Sequence, residues 1–210
     1  SLHDALPILF ISFRFSDGKE LKEELIELFD SSTEVYNRSE DKDRSDMSEK
    51  TIQKYLYEKL KKTSVTIVLL TPKAVDYRKD IYGIYDDWLY DELRYSLEDR
   101  SDNRTNGVIA VYTDESKDLI RESSTHRCDV CGEEKTCTTI LDFDNLVRKN
   151  MLNVKNDYKS NQCMGLYDRN KDSYISLVHI DDFKADYATY ITNAKNKRDR
   201  KEEFDLVKRM

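Results

Sequence analysis

Between Asp86 and Arg100 the chain reads DDWLYDELRYSLEDR, which puts Trp88 and Glu92 four residues apart, one helical turn. On a helical wheel Trp88, Glu92, Tyr95 and Asp99 share one stripe, with Leu89, Leu93 and Ser96 on the adjacent one. Glu92 is therefore expected at the edge of a buried face. A carboxylate there is partly desolvated and held by its own helix. If that helix follows a buried strand, the carboxylate points at a ligand above the strand ends of an α/β sheet. The same spacing also suits a solvated Glu making helical charge pairs with neighbours such as Arg94 and Arg100.

A second group of chemically able residues is His126, Cys128, Cys131, Cys137 and Cys163. They contain one CxxC pair followed by Gly132, which allows the tight turn of a zinc knuckle. A complete structural zinc site would use Cys128 and Cys131 with Cys163 and either Cys137 or His126. The competing reading is free, buried thiols. Asp168 to Ser173, DRNKDS, begins like a calcium loop, but Ser173 replaces the turn glycine and His179 stands at the place of the bidentate Glu, which excludes an EF-hand. Phosphate-cradling glycine loops and nucleophile elbows are absent from the sequence, and its three His are too scattered for a triad.

The elements that must position these residues follow from the apolar pattern. Leu9 to Phe13 (LFISF), Val65 to Leu70 (VTIVLL) and Val108 to Tyr112 (VIAVY) are short, β-branched and without clean alternation, as expected of strands buried on both faces of a parallel sheet. Thr33 to Tyr36 fits a strand nearer an edge. Asp17 with Glu20 suggests a capping box ahead of a helix bearing Leu21, Leu25, Leu28 and Phe29. Asp46 with Glu49 repeats it ahead of Ile52, Tyr55, Leu56 and Leu60. Ser173 to Ile180 reads as a fifth strand, and Phe183, Tyr187, Tyr190, Ile191 and Ala194 mark a final helix. The order predicts an α/β fold with a flavodoxin-like, doubly wound, mainly parallel five-stranded sheet.

One domain over residues 9–198 is expected, interrupted before its last strand by a Cys-containing insertion at about 114–172. Residues 1–8, SLHDALPI, lack an initiator Met, resemble translated adapter sequence and are set aside as a non-native leader. Residues 199–210 read as a charged tail, a solvated helix extension or frayed end. The 35 basic and 42 acidic residues are interspersed and leave a net charge of −7, which argues against a nucleic-acid surface. No apolar run approaches a membrane span, and the clustered Cys suit a reducing cytoplasm.

FISFRFSDG at 10–18, TIVLLTPKAV at 66–75 and WLYDEL at 88–93 resemble the TIR domain, in particular the TIR-like branch found in ThsB proteins of the Thoeris anti-phage defence system. The resemblance spans about residues 10–112. It implies an enzyme that takes NAD as substrate and cleaves the bond between nicotinamide and ribose, with Glu92 at the position of the catalytic glutamate. Phe13, Arg14 and Asp17 would line the other side of the pocket, Phe13 stacking on a flat ring and Arg14 meeting the pyrophosphate. Strand-end packing and solvent contact are the competing roles for these three. Trp88 would anchor the helix and border the substrate, and Arg44 would lie in the pocket-covering, self-association loop. The resemblance further implies an unknown phage trigger and a nucleotide signal, hydrolysed or cyclised, that reaches a separate effector. The alternative is a catalytically inactive TIR-like module that works by self-assembly. A receiver-like domain is disfavoured, because Asp17 stands without the acidic cluster of a phosphoacceptor site.

Overall fold

A computed structural model describes residues 7–30, 36–37, 49–99, 104–160 and 167–210. Four strands, β1 (Ile8–Ser12), β3 (Val65–Leu70), β4 (Gly107–Tyr112) and β7 (Ser176–His179), lie parallel. The short β2 (Tyr36–Asn37) pairs with the outer side of β1. The sheet order is β2-β1-β3-β4-β7. Every residue of β3 and β4 is buried, as uninterrupted apolar runs require when helices cover both faces.

Odd-numbered positions of β1, β3 and β4 (Leu9, Ile11, Val65, Ile67, Leu69, Ile109, Val111) pack against α1 (Phe15–Asp30), α6 (Ile180–Ala185) and α7 (Tyr187–Asp199). On the other face, Phe10 packs with Leu56 and Leu60 of α2 (Glu49–Leu60) and with Tyr95. Val68, Leu70, Val108 and Ala110 pack with Leu89, Leu93 and Leu97 of α3 (Trp88–Leu97). The result is a three-layer α/β/α arrangement. Gly107 lets α7 lie directly on β4: a Cβ there would stand 2.4 Å from the Ala194 carbonyl oxygen.

Between β4 and β7 the chain forms α4 (Asp114–Ile120), an antiparallel ribbon of β5 (Arg121–Arg127) and β6 (Glu134–Ile140), and the one-turn α5 (Leu146–Lys149). Ile140, Phe143, Leu146, Val147, Met151 and Val154 extend the core that surrounds α3.

Several expected boundaries move. Ile8, assigned to the leader, opens β1: its N–H donates to Ser64 Oγ (3.1 Å) and its carbonyl accepts from the Ser64 N–H (2.8 Å). α1 starts at Phe15, so Asp17 lies within its first turn instead of capping it, and the Asp17 and Gly18 N–H groups bond to the Arg14 carbonyl. The expected cap at Asp46 and residues 33–35 of the weak strand lie outside the described residues. The last strand is shorter than predicted, because His179 already caps α6, and the final helix breaks in two at Asp186.

The charged tail is corrected most clearly. After α7 the chain turns back: Phe204 is buried and bridges to Val154, and Leu206, Val207 and Met210 pack on the core. The fully buried Asn150 holds Val207 as a strand would, donating to its carbonyl (2.7 Å) and accepting from its N–H (2.9 Å). High charge concealed this strap, since its four apolar side chains are spaced too irregularly to show a helix or strand period.

Candidate functional site

The chain leaves β1 through α1 on one face of the sheet and leaves β3 toward α3 on the other, with β2 and β4 lying to opposite sides. The loops at the carboxyl ends of β1 and β3 therefore diverge, making the topological switch point where open α/β sheets bind ligands. Ser12, the last residue of β1, is fully buried there and pairs in register with Val68. Its hydroxyl donates to Glu92 Oε2 at 2.5 Å. Glu92 is half-buried, on the second turn of α3, as the helical spacing predicts.

What aims Glu92 is the anchoring of α3. Asp87, its N-cap, accepts from the Leu89 N–H through Oδ1 (3.0 Å). Asp87 Oδ2 accepts from the Arg78 N–H (2.7 Å) and from the Arg14 guanidinium (2.5 Å). One turn beyond Glu92, Ser96 Oγ donates to the Glu92 carbonyl (2.9 Å) and lies 2.8 Å from Thr66 Oγ1, bolting the helix to β3. Tyr95 packs against Tyr57 of α2 with ring centroids 3.8 Å apart. Burial, then the hydrogen bond with Tyr57, pushes the Tyr95 phenol up, so it stays neutral. Arg94, a candidate partner for Glu92, instead pairs with Asp91 (2.9 Å) and Glu98 (3.6 Å).

Arg14 turns inward from the loop after β1. Its guanidinium is buried, pairs with Asp87 and donates to the Asp76 carbonyl (3.3 Å), tying the loop after β1 to the start of α3. Asp17 Oδ2 accepts from the Lys73 N–H (2.8 Å), a second tie between the loops after β1 and β3. Its Oδ1 is buried with no hydrogen-bond partner among the described residues. Phe13 is half-buried and packs over the first turn of α1, where its Cβ lies 3.2 Å from where Gly18 would carry one.

Trp88 is the first residue of α3. It is 39% exposed and lines a neighbouring cleft of about 290 Å³ with Gln53, Asp80, Tyr85, Asp86 and Asp91, a cleft that Glu92 does not line. Being the first helical residue, Trp88 has no preceding turn to pack against, and Leu89, Tyr90, Leu93 and Leu97 take the buried face. Arg44 and Cys163 lie outside the described residues.

Next to this cleft, Tyr77, Tyr85 and Tyr90 form an aromatic group, with centroids 5.2 Å apart for Tyr77 and Tyr90 and 4.6 Å for Tyr85 and Tyr90. Asp144 accepts from Tyr85 Oη (2.8 Å) and pairs with Lys79 (2.7 Å). Burial pushes its carboxyl up, but these partners outweigh it and hold the carboxyl below the usual range.

The cysteines separate. Cys128 and Cys131 share the turn that joins β5 to β6, whereas Cys137 stands inside the ladder opposite Ser124. All three are thiols. Among the described residues no group of three or more His, Cys, Asp or Glu is arranged to hold a metal ion.

Sequence reasoning missed Ser12 and Asp87. Both left a signal: Ser12 is a polar residue ending an apolar strand, and Asp87 is a capping residue directly before a helical period. Among the described residues no helix is long and apolar enough to cross a membrane. No curated protein matches the chain. The family model for the Thoeris protein ThsB, TIR-like domain, matches residues 10–118, which run from β1 into α4 and include Ser12, Asp87 and Glu92. The match takes in 109 of the 210 residues, and the chain belongs to this family.

Proposed function

We propose that the crevice at the carboxyl ends of β1 and β3 cleaves the glycosidic bond between nicotinamide and ribose in NAD, with Glu92 as the catalytic residue. Family membership implies a role in anti-phage defence. The observation that supports the chemistry is the half-buried Glu92 carboxylate, held by Ser12 at the switch point.

Nicotinamide departs as a neutral base, so no proton donor is needed. The ribose becomes oxocarbenium-like, and a nearby fixed anion stabilises it as the bond breaks. Glu92 would accept hydrogen bonds from the ribose hydroxyls and offset the developing charge. Capture by water gives ADP-ribose, and capture by a nitrogen of the adenine in the same molecule gives a cyclic product. Either is a soluble nucleotide that can act on a separate effector. Phe13 would border a flat ring of the substrate. Arg14 acts through Asp87 to position α3. Arg44 is assigned to the pocket-covering loop by resemblance alone.

The test is incubation of purified protein with NAD, with and without extract of infected cells, and separation of the products. Glu92→Gln keeps size and one acceptor oxygen but removes the charge, and is expected to lower turnover at least about 100-fold, since preorganised charge stabilisation is worth several kcal/mol. Turnover that survives the substitution would overturn the assignment.

One observation favours a second reading, assembly without catalysis. Asp80 Oδ1 accepts from the Tyr82 and Ile84 N–H groups (2.9 and 2.8 Å), fixing a turn that holds Ile81 (91% exposed), Tyr82 (80%) and Ile84 (65%) out to solvent. Such an apolar projection suits a protein contact. Absence of turnover under every condition, with concentration-dependent assembly lost in Ile84→Asp, is the outcome that reading expects.

A further inference from the structure

We propose that the turn at the tip of the β5–β6 ribbon is a thiolate half-site for a soft divalent cation of the zinc class, with Cys128 and Cys131 as two of its ligands and Cys137 excluded. The turn is built for this. The Gly132 N–H donates to the Cys128 carbonyl (2.8 Å), closing a single helical-type turn that sets residues 128 and 131 beside one another. The Cys128 N–H donates to the Glu133 carbonyl (2.9 Å), so the ladder runs right up to the first cysteine. Gly132 takes the left-handed conformation (φ +70°) that returns the chain directly after the second cysteine, and Arg127 Nε locks it by donating to the Gly132 carbonyl (2.8 Å).

The register decides which other sulfur can take part. Cys128 stands opposite Glu133, and Cys137 is four ladder positions further along the same strand. At about 3.4 Å per residue that places it about 14 Å from the turn. Sulfur ligands of one zinc sit at about 2.3 Å from the metal, so they must lie within about 4 Å of each other. Cys137 could join only if the ladder were torn. Among the described residues no third His, Cys, Asp or Glu is arranged to join the pair, so the remaining coordination positions come from an additional ligand. The tip is open on the side of Cys131, which is exposed, while Cys128 is buried beneath it; Val130 between the two cysteines presents an apolar side chain that is 67% exposed.

On binding, each thiol releases its proton to solvent as its sulfur bonds the metal, and no oxidant or reductant is involved. The site is independent of NAD turnover and is read without it. The full chain is reduced, stripped of metal with a chelator and titrated with Zn²⁺ and, in parallel, with Co²⁺. The expected result is saturable binding with thiolate-to-cobalt absorption, intact in Cys137→Ser and weakened about 100-fold or more in Cys128→Ser and in Cys131→Ser. Cys131 is exposed, so its substitution tests the site without disturbing packing, and circular dichroism verifies the fold. One ion per two chains with a metal-dependent doubling of mass supports a half-site completed by a second copy. One ion per monomeric chain supports a half-site completed within the chain. Lack of the thiolate–cobalt band, binding that survives Cys131→Ser, or binding abolished by Cys137→Ser would each overturn the proposal.

Discussion

The 2.5 Å hydrogen bond from Ser12 Oγ to Glu92 joins the end of a fully buried strand to the side chain proposed to meet substrate. A hydrogen bond to an ionised group is worth about 1.5–3 kcal/mol, so Ser12→Ala is expected to lower NAD turnover about 10- to 100-fold by releasing Glu92 from its orientation. Circular dichroism should stay unchanged, which separates misaimed chemistry from unfolding. Asp87 carries a larger structural burden, because it caps α3 and neutralises the buried Arg14. Asp87→Ala leaves that guanidinium without its charge partner and is expected to destabilise the fold by about 3–5 kcal/mol in urea unfolding. Asp87→Asn should lose less, since it keeps the cap acceptor. The position of Glu92 was legible in the sequence because helical period is a local property. The direction of Arg14 was not, because its partner lies 73 residues away along the chain.

Among the elements, α3 and α7 decide the geometry from opposite faces of the sheet. α7 crosses β4 so closely at Gly107 that a methyl group would meet the Ala194 carbonyl, which is backbone and cannot rotate aside. Gly107→Ala is expected to cost about 1–3 kcal/mol by overpacking, measured as a lowered urea midpoint with an unchanged slope. The strands at 65–70 and 108–112 were readable within a residue, because burial on both faces imposes a continuous apolar run. The start of α1 was not: the chain turns into the helix already at Phe15, with Arg14 supplying the carbonyl, and a favourable Asp two residues later is drawn instead to the Lys73 N–H. Local cap propensity of about 1 kcal/mol yields readily to such a tertiary tie.

For the molecule as a whole, the segment after α7 joins distant parts. Arg209 pairs with Glu98 (2.9 Å) and Lys201 with Asp99, so the strap holds the carboxyl end of the same helix that carries Glu92. Beneath it Lys197 is buried and donates to the Ser173 carbonyl (2.6 Å) and Ser176 Oγ (2.7 Å). Burial lowers its pKa to about 7, against about 10.4 in an unfolded chain. Between these values the unfolded state binds the extra proton, so this residue makes stability rise with pH from about 7 to about 10. Urea unfolding at pH 7 and pH 9 is expected to show that gain in the parent protein and to show less of it in Lys197→Met.

By itself the sequence determined that this is an α/β protein with a parallel sheet, that Glu92 sits on a helix edge, and that FISF, TIVLLTPKAV and WLYDEL belong to a TIR-like chain. The first two are properties of local period and composition, which a few neighbouring residues settle, and the third is a resemblance of motifs that the family model bears out. The tertiary structure alone decided that Ser12 meets Glu92, that Arg14 turns inward to Asp87, that Trp88 faces a separate cleft, and that the charged tail is a strap. Each of these depends on side chains distant in sequence, and which of several available partners a charged or polar group takes is set by packing.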